Sequence, residues 1–268
     1  MLYLIATPIG NLKDITLRAL DTLRTVDYIL CEDTRTSRVL LAYYEITTPL
    51  KSYHKFNEKQ NLDRIIQDLK SGKQIALISD AGTPAICDPG AELAARCHAE
   101  KLPICVLPGP SALTAALCLS GSSFKRFQFI GFLPKGENEL KCLIAQIMHY
   151  PGLTLCYETP HRISKTLKLF PQKTPISIAR ELTKIHEEFL QANASDLIEH
   201  FAEKPARGEM VLLVEGKQYD YMNLTPQEHV TILKKEYNIS TQEAIKLAAH
   251  LRDVPKSILY RNVLIEQQ

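Results

Sequence analysis

Four apolar runs, at residues 2–6, 27–31, 74–78 and 103–107, each give way to a loop rich in Pro, Gly and Asp and then to a helical pattern. Runs this short, bounded in this way, read as strands buried on both faces. Strands separated by amphipathic helices join one sheet as parallel neighbours with crossovers, so the pattern predicts an α/β fold. Ile15, Leu17, Leu20 and Leu23 mark a helix to about residue 25, and Leu62, Ile65, Ile66 and Leu69 mark another over 57–70, with residues 51–55 as its approach. Further helices are expected after residue 34, at 90–100 and, from small residues, at 111–120.

The loop SDAGTPAICDPG at 79–90 is the stretch the others are arranged around. Pro fixes φ and Gly admits close backbone approach, a combination too rigid and polar for a simple connector. Thr7-Pro8-Ile9-Gly10-Asn11, Glu32-Asp33-Thr34-Arg35 and Pro108-Gly109-Pro110-Ser111 are three more loops of the same kind. In an open α/β sheet the carboxyl ends of the strands form one rim, and ligands bind there. The alternative is a set of structural turns in which Asp33, Asp80 or Asp88 caps the next helix. No G-x-G triplet and no phosphate-loop pattern is present, so a nucleotide phosphate is not the ligand these loops suggest. Pro and Asp suit a ligand with positive charge, with adenosine hydroxyls, or with both; S-adenosylmethionine is such a ligand.

The net charge of +2 excludes a whole-molecule field for nucleic acid, so a polyanion site would have to be a local patch. The seven cysteines include no C-x-x-C pair, which argues against a zinc knuckle or a thioredoxin-type site; buried reduced thiols in a cytoplasmic protein are expected. No metal is expected. The chain starts on a strand without a basic leader, and no apolar run approaches membrane-spanning length, so a soluble protein is expected.

Past Gly121 the pattern changes. Strands are expected at 127–132, 153–157, 176–179, 187–191 and 209–214, with helices at 137–149 and 160–170, which suggests a mixed sheet with antiparallel pairs. Beyond Lys217, Thr225-Pro226 and Ser240 cap two helices and Val254-Pro255 begins a third. The expected organisation is an α/β domain with rim loops at 1–121, a second α/β domain closing a cofactor cleft at 122–217, and a small helical region at 218–268.

Eight ordered motifs carry a family resemblance: TPIGNLxDIT, CEDTR, SDAGTPxIxDPG, LPGPSA, GFLPKG, YETPHR, ARELTK and RGEMVLLVEG, spanning residues 2–216. They resemble the ribosomal RNA small-subunit methyltransferase I family of the tetrapyrrole methylase superfamily. The small departures, Ala6 and Ala85, touch none of the polar motif residues. The resemblance implies a two-domain tetrapyrrole-methylase-like fold with a C-terminal helical appendage, a homodimer, and S-adenosylmethionine as cofactor in a cleft between domains. It implies methylation of the ribose 2′-hydroxyl of a cytidine in 16S ribosomal RNA of the small subunit.

By the same resemblance, the cofactor lies against Pro8, Asp80, Ala81, Gly82, Thr83, Gly109, Pro110 and Ser111, with Tyr157, Leu182, Glu209, Met210 and Val211 supplied by the second domain. Asp80 would hold an ammonium or a ribose hydroxyl, or cap a helix; Met210 would line the site or open a core strand. A 2′-hydroxyl is a weak acid, so a nearby base or cation is needed, and the candidates are Asp33, Glu32, Glu181 and Lys184. Asp33 is preferred, with helix capping as the competing role. Arg35, Arg38, His54, Lys55, His161, Arg162, Arg180 and Lys184 would form a cationic lip for phosphates, against which stands a solvated surface. Tyr53 or Phe56 would stack on a splayed base, or pack in the core. Two rival readings are carbon methylation of a corrin precursor and a non-catalytic RNA- or ribosome-binding factor.

Overall fold

The computed structural model describes residues 1–216, 221 and 223–265. Contacts divide the chain into two compact units, Met1–Ala115 with Leu182–His186, and Ala116–Glu181 with Glu187–Gln268.

The first unit alternates strand and helix: β1 (Leu2–Ile5), α1 (Leu17–Thr25), β2 (Tyr28–Cys31), α2 (Thr34–Tyr43), β3 (Leu50–Ser52), α3 (Glu58–Lys70), β4 (Ile75–Ile78), α4 (Ala91–Ala99) and β5 (Ile104–Leu107). The helix α5 (Ala112–Ser120) spans the division between the units. All pairings in the sheet are parallel, in the order β3-β2-β4-β1-β5. The three central strands are buried almost throughout because helices cover both faces. Ile5, Ile29, Cys31, Ala76 and Ile78 pack on one cluster with α1 and α2; Leu2, Leu4, Tyr28, Ile75 and Leu77 pack on the other with α3 and α4. The side-chain period of two thus distributes each short run between two cores. Thr16 caps α1 by accepting the Ala19 N–H at 3.1 Å.

The second unit runs β6 (Phe127–Phe132), α6 (Glu137–His149), β7 (Leu153–Glu158), α7 (Ile163–Leu167), β8 (Pro175–Arg180), β9 (Glu188–Asn193), α8 (Ala194–Glu203), β10 (Met210–Glu215), α9 (Pro226–Tyr237), α10 (Thr241–Leu251) and α11 (Lys256–Ile265). Its sheet has the order β6-β7-β10-β8-β9, with β6 parallel to β7 and the other pairs antiparallel. The mixed sheet expected from the sequence is therefore present. Its core continues into the last three helices through Val230, Leu233, Ile245, Ala248 and Leu259. Both α9 and α10 open with a full capping box, Thr225 with Glu228 and Ser240 with Glu243.

Three local readings are corrected. Residues 50–52 form the edge strand β3 rather than only an approach to a helix. A helix, α8, follows β9 where no helix was expected, burying Ala194, Leu197 and Phe201 at helical spacing. The helix expected at 160–170 is confined to Ile163–Leu167.

Candidate active site

The loop after β4 bonds directly to each of its three neighbours. Thr7 and Gly82 exchange backbone hydrogen bonds of 2.9 and 3.0 Å, and the Thr7 hydroxyl donates to the Ser79 carbonyl at 3.0 Å. The Asp33 N–H donates to Asp80 Oδ1 at 3.1 Å, and the Thr83 hydroxyl donates to the Pro110 carbonyl at 3.3 Å. The carboxyl ends of β1, β2, β4 and β5 therefore carry one connected rim. The loop reaches this form through backbone that side chains resist: φ is +80° at Gly82 and +126° at Gly90, and the non-glycine residues Ala85 and Cys87 stand at 65° and 66°. Strain of this kind persists only where the surroundings enforce it, and it concentrates at ligand sites.

Among the expected ligand residues, Asp80, Ala81 and Gly109 are exposed on this rim, Thr83, Pro110 and Ser111 are half-buried, and Pro8 and Gly82 are buried beneath it. Asp80 offers one oxygen to the Asp33 amide and is otherwise an exposed carboxylate, close enough to Glu32 for the two charges to repel. That donor set accommodates an ammonium or paired hydroxyls and offers nothing specific to a phosphate.

Asp33 is the N-cap of α2. Its carboxylate accepts the Arg35 N–H at 2.8 Å and pairs with the Arg35 guanidinium at 2.8 Å. These hydrogen bonds hold its carboxyl down at about 2. Glu32, one residue earlier, behaves oppositely: burial and the neighbouring Asp80 charge raise its carboxyl, against the pull of Lys55 and His54.

The segment Leu182–His186 is grouped with the first unit, and its approach to Gly10 is close. A Cβ on Gly10 would stand 2.5 Å from Lys184 Cγ and 2.8 Å from the Leu182 carbonyl oxygen. Leu182 is buried and Lys184 exposed, and Thr183 holds a left-handed φ of 67°.

In the second unit the register brings Tyr157, Val211 and Ala179 into one row and Glu158, Met210 and Arg180 into the next. Met210 and Val211 are 1% and 2% exposed, so their side chains belong to the core; Glu209, just before them, is exposed. Tyr157 lies edge-on to Phe129 and Phe132 at 4.9 and 5.3 Å. Glu181 has a left-handed φ of 52°, and its carboxylate occupies the space a Cβ on Gly208 would take.

The cationic residues separate into two kinds. Arg35, Arg38, Lys55, His161 and Lys184 are exposed, and His54 is half-buried. Arg162 is different: its guanidinium donates to the Leu133 carbonyl at 2.9 Å and to that of Pro134, and lies 3.5 Å from the fully buried Glu158. It is a latch inside its own unit rather than part of a lip. Arg180 pairs with Glu188 across β8 and β9. Tyr53 is fully buried, its hydroxyl donating to Glu58 Oε1 at 2.9 Å, and is thereby excluded as a stacking residue; Phe56 is 92% exposed. Glu58 escaped the sequence reading: the same oxygen accepts the Gly90 N–H at 3.1 Å, tying α3 to the end of the central loop. Its position in the first turn of a helix was the available signal. Among the described residues there is no cluster of three or more candidate metal ligands, and no helix is long and apolar enough to cross a membrane.

With the fold and rim in place, the class is defined. The chain belongs to the tetrapyrrole (corrin/porphyrin) methylases, whose family model matches residues 1–198. A solved cobalt precorrin-4 methyltransferase of cobalamin biosynthesis shares the fold, with a TM-score of 0.57, 18% identity, and coverage of 80% of this chain and 94% of its own. More specifically, the chain is similar to two proteins named ribosomal RNA small subunit methyltransferase I. That of Bacillus subtilis is 41% identical over 100% of this chain and 95% of its own. That of Halalkalibacterium halodurans is 40% identical over 97% and 93%. The family resemblance carried by the eight motifs is borne out, and the chain is a methyltransferase.

Proposed function

We propose that this protein transfers a methyl group from S-adenosylmethionine to the ribose 2′-hydroxyl of a cytidine in 16S ribosomal RNA of the small subunit, in the cytoplasm. The observation that carries the reading is the near-full-length identity of about 40% to proteins named for that RNA subunit. The rim supports the cofactor: an exposed Asp80 carboxylate beside the positive-φ backbone of Gly82 fits a cationic ligand with an amino-acid tail and ribose hydroxyls.

Bound S-adenosylmethionine would supply a methyl carbon already activated by a sulfonium. The chain's own task is to hold that ligand, align the ribose oxygen and accept its proton. Asp80 would take the ammonium or a hydroxyl, and the backbone of Ala81–Thr83 and Gly109–Ser111 would flank it, with Pro8 beneath. Leu182, in the segment grouped with the first unit, would join them, and the family resemblance assigns Tyr157, Glu209, Met210 and Val211 to the cofactor as well. A carboxyl held near 2 is a weak proton acceptor, so Asp33 serves as a cap, and Glu32, Glu181 and Lys184 are the candidates that stand. Arg35, Arg38, His161 and Lys184 would meet phosphates.

A homodimer is part of the proposal. The helix α5 is mostly apolar, yet Ala116 is its one buried residue among those described; Leu119 is 42% exposed. Edge strand β5 exposes Val106, and edge strand β6 exposes Phe127 and Phe132. Surfaces of this kind are covered by a partner in stable proteins.

The test is transfer of radiolabelled methyl to small subunits from cells lacking the enzyme, followed by alkaline digestion. Label in an alkali-resistant 2′-O-methylated dinucleotide is expected; failure on subunits and naked RNA alike, with cofactor binding intact, would refute the reading.

A further inference from the structure

One corner of the rim holds a carboxylate, a cation and a bare aromatic ring. The Tyr53 N–H donates to the Cys31 carbonyl at 2.8 Å, so the bonding to β2 runs one residue past the end of β3. The two chains therefore leave the sheet side by side, Glu32 on one and His54-Lys55-Phe56 on the other. The Glu32 carboxylate is half-buried and has no hydrogen-bond or ion-pair partner among the described residues. His54 Nδ1 is also buried without a partner.

The turn carrying Phe56 is fixed rather than loose. Asn57 Oδ1 accepts the His54 N–H at 2.8 Å, Asn57 Nδ2 donates to the Ser52 carbonyl at 3.2 Å, and the Asn57 N–H donates to the His54 carbonyl at 2.9 Å. This clamp holds the Phe56 ring 92% exposed, edge-on to His54 at 5.9 Å, while Tyr53 three residues earlier is fully buried. A rigid turn that presents an aromatic face to water beside a lysine has the form of a base-stacking platform next to a phosphate contact.

Resting on the RNA reading above, we propose that this corner seats the target nucleotide: its base stacks on Phe56, its ribose hydroxyl donates to the Glu32 carboxylate, and Lys55 meets the adjoining phosphate. The seat accounts for both features that are otherwise unexplained, a desolvated carboxylate left unpaired and an aromatic ring left uncovered. The 2′-hydroxyl is the free hydroxyl of an internal nucleotide's ribose, so Glu32 is then the acceptor of the reacting proton and Phe56 a substrate-binding residue.

The experiment compares wild type with Phe56→Ala, Phe56→Trp and Glu32→Gln, measuring methyl transfer to small subunits, S-adenosylhomocysteine binding by calorimetry, and mass in solution. Phe56→Ala is expected to raise the KM for subunits by on the order of tenfold or more, with cofactor affinity unchanged, since loss of a stacked base weakens binding by about that factor. Phe56→Trp should restore the KM, and Glu32→Gln should lower kcat/KM without weakening cofactor binding. An active wild type with Phe56→Ala at the same KM would overturn the seat and leave the reaction standing. A change of oligomeric state in Phe56→Ala would overturn it in favour of a protein contact. A wild type that transfers no methyl to RNA would remove the underlying reaction and the seat with it.

Discussion

Asp80 Oδ1 accepts the backbone N–H of Asp33 at 3.1 Å, so a side chain from the loop after β4 fixes the start of α2. Asp80 thus has two separable parts, an acceptor oxygen that joins two loops and an exposed charge on the rim.

Substitution separates them. Asp80→Asn keeps an acceptor oxygen and loses the charge; it should weaken S-adenosylhomocysteine binding by about tenfold while leaving the melting temperature unchanged, as expected for one charge-assisted hydrogen bond. Asp80→Ala should lower both. Isothermal titration and thermal unfolding of the two variants check this, and equal melting losses in both would contradict it.

Gly10 is constrained by space alone, without a left-handed φ. Ala at this position would press on the Leu182 carbonyl oxygen at 2.8 Å and on Thr183 Oγ1 at 2.9 Å. Gly10→Ala should displace the segment Leu182–His186 and reduce kcat by on the order of a hundredfold, the cost of a misplacement of about 1 Å, with a native circular dichroism spectrum.

Arg162 belongs to stability. Removing it strands the buried Glu158, whose remaining partners are the Thr159 N–H at 2.8 Å and the Thr166 hydroxyl at 2.7 Å. Arg162→Ala should cost about 3–5 kcal/mol in denaturant unfolding, as for other broken buried pairs. The salt dependence of RNA binding should keep its wild-type slope; a shallower slope would return Arg162 to the phosphate lip.

His229 sets an acid limit on the C-terminal helices. It is 1% exposed, stacks on Tyr221 at 4.2 Å, and through Nδ1 accepts the Arg252 Nε–H at 3.0 Å. Burial, then the Arg252 charge and His149, push its pKa down to about 4 from 6.5. Above 6.5 it is neutral in both folded and unfolded chains and its contribution is intact. Between 6.5 and 4 the unfolded chain takes the proton first, so stability should fall by about 1.4 kcal/mol per pH unit, roughly 3 kcal/mol in all. His229→Gln should remove this component from the unfolding profile, and an unchanged profile would refute it.

The rim was legible because three of the four strands that feed it, β1, β2 and β4, are buried on both faces, so a short apolar run ending in Pro, Gly or Asp has few other readings. Strand β3 was not legible, since three residues, Leu50-Lys51-Ser52, carry no period. Helix α8 hid because its apolar stripe is short, Ala194, Leu197, Ile198 and Phe201, and follows directly on a strand of similar polarity. The cationic residues were read by type, and type cannot tell Arg162 from Arg38. One meets carbonyls from a loop about thirty positions earlier, the other meets water, and only tertiary contact decides between them. Asp33 shows the same limit: a carboxylate at a strand end suits a cap or a base until the Arg35 pairing is seen.

The grouping of Leu182–His186 with the first unit has a consequence for synthesis. All five strands of the first sheet have left the ribosome soon after Leu107 is made, whereas this segment comes about 75 residues later. At roughly 5–20 residues per second the nascent first unit waits on the order of ten seconds with its rim one segment short. The enzyme that would modify a ribosomal subunit therefore emerges from a ribosome with its first sheet complete and the segment beside Gly10 still to come.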